Sequence, residues 1–302
     1  MELNPIVKTS LIKIDFIKRY EALSNQYSAE RTPADERLLH IDGSEVMEMI
    51  QNLGYIPKFN SREKFYKIEE EQNGKYAFGF HIILRGGSTE FVWVVKEGKE
   101  VLLGSPWGVY AKRIIAPSYR IKLPIFGTYE DLEEILSIAF GMYEDFKVAF
   151  MENYIITLEH NKRCAFAIRL AERAANYIHN DSVKERIANA LELCRNYVNA
   201  GENVGDKLYD FLDNEENGFT LMQEMEKEEK CIAAWDCIID VLAYIAKESY
   251  LQEEIRYMPE PLMLVEESIW EHMIKSLSLC DNCEKENIKN SLYDISFDNK
   301  PV

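Results

Sequence analysis

The hydrophobic pattern of this chain changes near residue 160, and that change constrains the fold more than any other feature. Before it, several short segments alternate apolar with polar residues, as strands do, and turn residues separate them. After it, apolar residues recur three and four positions apart, which is the spacing of packed helices. The 302 residues can supply two hydrophobic cores. The sequence therefore predicts an α+β domain over residues 1–155, an all-α domain over residues 156–280 and a polar tail over residues 281–302.

The first half predicts helices that flank an antiparallel meander of four or five strands. An apolar stripe predicts one helix over Leu11–Leu23, and Ser44 is the expected N-cap of a second helix that ends at Gly54. A long helix is expected over Tyr129–Phe150. The pattern assigns strands to residues 64–71, 76–84, 91–95 and 101–103, with a candidate fifth at Arg120–Leu123 and turns at Asn73-Gly74, Arg85–Ser88 and Glu97-Gly98.

The second half predicts helices only. Asp181 or Ser182 is the expected N-cap of one of them, and Gly201 is expected to end that helix. The most apolar helix is expected over Cys231–Tyr250. The other helices are predicted at Cys164–Ile178, Val204–Leu212, Phe219–Glu226 and, after Pro259 and Pro261, Leu264–Leu279.

Four landmarks in this half suggest a family. They are Ala171-Glu172-Arg173, Gly205-Asp206-Lys207-Leu208-Tyr209, Ala233-Ala234-Trp235-Asp236 and Met258-Pro259-Glu260-Pro261-Leu262. In this order and spacing they resemble the Imm6 family of bacterial immunity proteins, over about residues 164–277. The resemblance implies a protein that binds and neutralises a polymorphic toxin and that has no catalytic residues of its own. It assigns no family to the first half.

The net charge of −17 lies mostly in the second half. Residues 1–150 hold 19 Lys and Arg against 22 Asp and Glu, whereas residues 151–302 hold 16 against 30. Such acidity disfavours binding to nucleic acid or to an anionic membrane, because the protein would repel phosphate groups. It suits a basic toxin domain as partner, although an acidic surface also serves solubility. The alternative is a regulatory or scaffold protein that binds an endogenous basic partner.

The segment around residues 206–216 is the expected contact surface. The carboxylates of Asp206–Asp213 and of Glu224–Glu229 could imitate a polyanion and pair with the phosphate-binding Arg and Lys residues of a nuclease toxin, while a solvated helix face is the alternative. Aromatic residues beside them are typical of binding hot spots, and Trp107, expected in a loop, could either contact a partner or close the end of the sheet. The candidate partner-binding residues are Asp206, Tyr209, Asp210, Phe211, Asp213, Glu215, Glu216 and Trp107.

No motif predicts catalysis or a cofactor. The five histidines are scattered and form no HExxH, and Cys280-Asp281-Asn282-Cys283 has no second ligand pair for zinc. One calcium-loop pattern occurs at Asp213, Glu215, Asn217, Gly218 and Glu224, but Glu at the third position and Leu221 at the ninth depart from it. We therefore expect no catalytic residue, no metal and no cofactor. The N-terminus lacks the pattern of a signal peptide, and no apolar run would span a bilayer, so a cytoplasmic protein is expected; its oligomeric state stays open.

Overall fold

The computed structural model describes residues 2–69, 76–253 and 257–280. The chain divides into two compact units, Met1–Tyr154 and Ile155–Val302. The first unit contains an antiparallel sheet with flanking helices, and the described part of the second is helical. This confirms the predicted fold class.

The sheet of the first unit has five antiparallel strands in the order of the chain. Two neighbouring strands of ten residues each form its centre and meet at a two-residue turn, where Gly86 and Gly87 have φ of +59° and +70°. Those angles match the right-handed twist of a hairpin and are easily adopted only by glycine, which confirms the predicted turn. The Asn73-Gly74 turn lies outside the described residues. The strands are β1 (Lys58–Asn60), β2 (Phe65–Glu69), β3 (Tyr76–Arg85), β4 (Ser88–Glu97) and β5 (Glu100–Leu103).

The fifth strand is not where the sequence predicted it. The prediction at Arg120–Leu123 is wrong, because these residues form no strand. The fifth strand of the sheet is β1, which forms the edge beside β2. The chain after Leu123 does approach β4, where Ile125 and Ser88 form an isolated bridge. Pro124 has no N–H to donate, and it contributes only its carbonyl, which accepts from the N–H of Thr89 at 3.0 Å.

Helices cover one face of the sheet and bury its large aromatic residues. Phe80 and Trp93 are opposite one another in β3 and β4, and both are fully buried. Their rings contact Phe140 and Phe146 of the long helix at centroid distances of 4.9 and 5.0 Å. The helices are α1 (Pro5–Lys13), α2 (Phe16–Gln26), α3 (Gly43–Asn52), α4 (Trp107–Ile114) and α5 (Tyr129–Ile156).

Two local predictions in this unit need correction. The single helix expected over Leu11–Leu23 is two helices, because Asp15 adopts a left-handed conformation with φ of 54° and interrupts it. The N-cap of α3 is Asp42, whose carboxylate accepts from the N–H of Ser44 at 2.8 Å, and not Ser44 itself.

The second unit packs its helices around one long apolar helix. That helix, α10 (Glu229–Gln252), buries residues such as Trp235, Ile238 and Leu242 on nearly every side. The cap of α7 is Asn180 and not Asp181 or Ser182, while Gly201 ends α7 in a left-handed conformation, as predicted. The remaining elements are α6 (His160–Ala174), a 3₁₀ turn (Ala175–Tyr177), α7 (Asp181–Ala200), α8 (Gly205–Leu212), α9 (Phe219–Met225), α11 (Glu260–Met263) and α12 (Ile269–Cys280).

Candidate partner-binding site

Seven of the eight candidate residues lie on α8 and on the loop that follows it. The five carboxylates among them are exposed, and Lys207 is the only basic residue between positions 205 and 218. We call this surface the α8 surface and define it by Asp206, Asp210, Asp213, Glu215 and Glu216. Because these side chains belong to one short helix and its loop, they present a local excess of negative charge.

The start of α8 is fixed against α10. Val204 donates its N–H to Ser249 Oγ at 3.1 Å, and the hydroxyl of Tyr250 donates to Asp206. Gly205 allows this close approach, because a Cβ at its position would lie 2.8 Å from the ring of Tyr250. Burial, together with the hydrogen bond to Asp206, raises the pKa of Tyr250 to about 12. The hydroxyl therefore keeps its proton at neutral pH and can donate it to the carboxylate.

The loop after α8 is held by its own polar groups. Asn214 Oδ1 accepts from the N–H groups of Glu216 and Asn217 at 3.0 and 3.3 Å. Gly218 packs against the same backbone, since a Cβ there would lie 2.6 Å from the nitrogen of Asn214. Thr220 closes the turn by donating its hydroxyl to the carbonyl of Leu212 at 2.9 Å. These bonds restrict the conformations available to Glu215 and Glu216.

Arg186 of α7 joins that loop to the rest of the unit. Its guanidinium donates to the carbonyl oxygen of Asn217 at 2.5 Å and to Asn217 Oδ1 at 2.8 Å. It also lies over the rings of Phe211 and Phe219, at 5.7 and 5.3 Å from their centroids. Sequence reasoning missed this residue, because 31 positions separate it from Asn217 and no local motif connects them.

The two aromatic candidates on α8 are less available than their sequence positions suggest. Phe211 is half-buried beneath Arg186 and contacts Phe219 at 5.6 Å. Tyr209 is also half-buried, and its hydroxyl donates to Asp213 Oδ2 at 2.8 Å. That hydrogen bond raises the pKa of Tyr209. The α8 surface therefore presents mainly carboxylates to the solvent.

Trp107 does not belong to this surface. It begins α4 in the first unit, so the predicted loop is a helix, and it is 1% exposed. Its ring lies 4.8 Å from that of Phe91 and 4.9 Å from that of Trp93. Packing of these apolar rings excludes water, which outweighs the turn-forming composition of the surrounding segment. A side chain buried in this way offers no surface to a partner.

The calcium-loop pattern does not fold as a calcium loop. Gly218 has φ of −60°, and α9 begins directly after it, so Glu224 lies on a helix rather than at the end of a wrapping loop. The carbonyl oxygen and Oδ1 of Asn217 both accept hydrogen bonds from the guanidinium of Arg186. A cation already bound to these oxygens opposes a second cation there.

Ligand atoms suited to a metal do converge elsewhere in the second unit. His179 Nε2, a carboxylate oxygen of Glu228 and Cys231 Sγ all lie within 4.8 Å of one another. The sequence search missed this group, because His179 is far from the other two residues in the chain and only the fold brings them together.

Another cluster resembles a nucleophilic triad. His160 Nε2 lies 3.6 Å from Cys164 Sγ, and His160 Nδ1 lies 3.0 Å from Glu248 Oε2. Cys164 is fully buried, and burial, with the charge of Glu248, raises the pKa of its thiol to about 12. A nucleophilic cysteine requires an accessible thiolate, so this thiol, protonated and shut in the core, does not meet that requirement.

The protein is thus a sheet-containing unit followed by a helical unit that carries the acidic α8 surface. Residues 162–280 match the model of the family described as immunity protein Imm6, which confirms the resemblance predicted for the helical half. That family implies an immunity protein of a polymorphic toxin system. No curated protein and no solved structure matches the chain. Among the described residues, no helix is long and apolar enough to cross a membrane.

Proposed function

We propose that this protein binds a cognate polymorphic toxin and occludes its active site or substrate path, and that the α8 surface contacts a basic region of the toxin. The observation that carries the proposal is the Imm6 match, since it covers the helical unit on which this surface lies. A toxin that attacks nucleic acid needs Arg and Lys side chains for phosphate groups, and carboxylates can occupy those positions.

The rigidity of the α8 surface supports this role. A helix and a loop fixed by Asn214 and Arg186 lose little backbone conformational freedom when a partner binds. Their charge should also attract a basic partner over a distance, which raises the association rate at low salt. A protein that must neutralise a lethal toxin benefits from both effects.

The experiment compares two acidic pairs of the full-length chain. Glu215→Lys/Glu216→Lys reverses two exposed charges of the α8 surface, and Glu266→Lys/Glu267→Lys reverses an exposed pair between α11 and α12. The two variants change the net charge equally. Each is tested for affinity and association rate with the toxin domain encoded beside the gene, and for protection of cells that co-express that toxin.

The expected result is that the first variant loses at least about tenfold in affinity and protects poorly, whereas the second resembles the parent protein. Equal losses in both variants would mean that net charge matters and the α8 surface does not. If the parent protein neither captures the toxin nor protects, the immunity function itself is wrong, and the alternative of an endogenous basic partner gains support.

We propose that the first unit is a second binding module. No comparison assigns it, and its sheet differs in architecture from the helical unit. Two modules could contact one toxin from two sides or neutralise two toxins separately. Unchanged toxin binding and protection in Glu215→Lys/Glu216→Lys would place the contact elsewhere, on another face of the helical unit or on the first unit.

A further inference from the structure

The segment between the 3₁₀ turn and α7 meets the start of α10 in the second unit. His179 follows the 3₁₀ turn, while Glu228 and Cys231 belong to the first turn of α10 and its cap. Glu228 Oε2 lies 3.6 Å from His179 Nε2 and 3.6 Å from Cys231 Sγ. Three different types of ligand atom thus converge on one point although they come from two separate segments.

Two of the three separations match those of ligands around zinc. Zinc lies at about 2.0–2.1 Å from imidazole nitrogen, about 2.0–2.2 Å from carboxylate oxygen and about 2.3 Å from thiolate sulphur, so tetrahedral ligands are about 3.3–3.6 Å apart. The two distances to Glu228 Oε2 already fall at this spacing. The third pair, His179 Nε2 and Cys231 Sγ, lies within 4.8 Å and needs only a small movement of the histidine. The side chain of His179 is 74% exposed, which leaves room for that movement.

We propose that His179, Glu228 and Cys231 bind a zinc ion, with a water molecule as the fourth ligand. Cys231 Sγ lies at the buried end of the site, and the exposed side chains of His179 and Glu228 lie at its rim. The fourth position therefore faces the solvent. On binding, the thiol releases its proton to the solvent and coordinates as thiolate, and an imidazole nitrogen of His179 and a carboxylate oxygen of Glu228 supply the other two protein ligands.

The ligand set selects zinc over the hard cations of the cell. Magnesium and calcium prefer oxygen ligands in larger number, whereas this site offers one carboxylate with a sulphur and a nitrogen. One thiolate and one carboxylate also neutralise the two charges of the ion.

The surrounding structure positions two of the three ligands. Glu226 accepts from the N–H groups of Lys227 and Glu228 at 2.8 and 3.2 Å, which fixes the turn before α10. Before an ion binds, the thiol of Cys231 donates to the carbonyl oxygen of Tyr177 at 3.1 Å, which holds the sulphur toward the 3₁₀ turn. This hydrogen bond is lost when the thiol gives up its proton to bind the ion. A bound ion would connect the 3₁₀ turn and α10 through His179. The proposed zinc site does not depend on the proposed toxin binding, so either proposal can fail without the other.

The test is cobalt and zinc titration of the full-length protein after removal of metal with a chelator. Cobalt reports its ligands directly, because a thiolate gives a charge-transfer absorption and tetrahedral coordination gives intense visible bands. We expect one equivalent of cobalt with both features, and displacement by zinc. Cys231→Ser should remove the charge-transfer absorption. His179→Ala should weaken zinc binding by more than about 100-fold, since even residues that only hydrogen-bond to a metal ligand contribute about 10–100-fold.

Two matched controls test whether the cobalt signals arise at a different thiol or histidine. Cys283→Ser removes a thiol of the Cys280–Cys283 pair, and His272→Ala removes another exposed histidine paired with a carboxylate, Asp240. Both should bind as the parent protein does. The proposal fails if the parent binds no cobalt, if Cys231→Ser keeps the charge-transfer absorption, or if Cys283→Ser abolishes it. His179→Ala changes an exposed side chain, so its result is readable even if Cys231→Ser unfolds the protein.

Discussion

Replacing Gly205 with alanine should destabilise the second unit, although alanine is the better helix former. The new Cβ would lie 2.8, 2.9 and 3.1 Å from three ring atoms of Tyr250. The shortest of these is about 0.7 Å below the 3.5 Å at which carbon atoms begin to contact favourably. The ring cannot withdraw freely, since Tyr250 is 2% exposed and its hydroxyl donates to Asp206.

The expected cost follows from these contacts. Overpacking a buried site costs about 1–3 kcal/mol, and a shift of Tyr250 would also weaken its hydrogen bond to a charged group, which contributes about 1.5–3 kcal/mol where it is fully formed. The gain in helix propensity is at most about 1 kcal/mol, and it is smaller at the first helical position, where Gly205 lies. We expect Gly205→Ala to lower the free energy of unfolding of this unit by about 1–2 kcal/mol.

The control is Gly141→Ala in α5. There a Cβ meets nothing within 4 Å, and the same substitution should raise stability by about 0.5–1 kcal/mol through helix propensity alone. Hydrogen exchange measured by mass spectrometry at increasing urea gives the stability of each unit separately, from peptides of α10 and of α5. If Gly205→Ala proves as stable as the parent, the close contact with Tyr250 is wrong. If the contact is correct, Tyr250→Ala should remove most of the cost, because the two substitutions are coupled.

Three further results are expected. Arg186→Met should remove both hydrogen bonds to Asn217 and lower the free energy of unfolding by roughly 1 kcal/mol. Hydrogen exchange should become faster in residues 213–218 while α10 stays protected. Unchanged exchange in residues 213–218 would refute the role of Arg186. Burial raises the pKa of Asp240 to about 6 from 3.8, with His272 opposing the shift, so the native state holds a proton that the unfolded state releases between about pH 4 and 6. The ionised carboxylate therefore reduces the free energy of unfolding above pH 6. In urea unfolding, Asp240→Asn should be more stable than the parent at pH 7, and this difference in free energy should shrink by up to about 3 kcal/mol at pH 4. A difference that does not depend on pH would contradict the shift. Phe80→Ala should destabilise the first unit by about 3–5 kcal/mol, measured from α5 peptides, and a cost below about 1 kcal/mol would contradict its place in the core.

The sequence predicted long periodic elements well and local interruptions poorly. The helix α10 and the hairpin of β3 and β4 are found where their patterns placed them, because burial acts on many residues at once. The break at Asp15 was missed, since the apolar stripe continues in phase across it and one left-handed residue leaves no periodic trace. Arg120–Leu123 was misread for a similar reason: its pattern suits a strand, but Pro124 limits pairing with β4.

The same distinction applies to the sites. The α8 surface could be predicted because its carboxylates follow one another in the chain. The contacts that hold it come from α7 and α10, through Arg186 and Tyr250, and no local pattern reveals them. Trp107 was misplaced because glycine, serine and proline beside it suggested a loop, whereas its large apolar ring fills the core of the first unit.

The helix α8 places its apolar and its charged side chains on opposite faces, so burying the one does not require burying the other. Leu208 and Leu212 bury the inner face of α8 against the core, while Asp206, Asp210 and Asp213 stay exposed on the other side. Like charges so close together repel and would favour a looser loop if the backbone were free. The bonds of Asn214 and Arg186 oppose that loosening. A basic partner would reduce the repulsion between these carboxylates, which the bonds keep close together. The surface should therefore bind such a partner more strongly than a flexible acidic segment of equal charge.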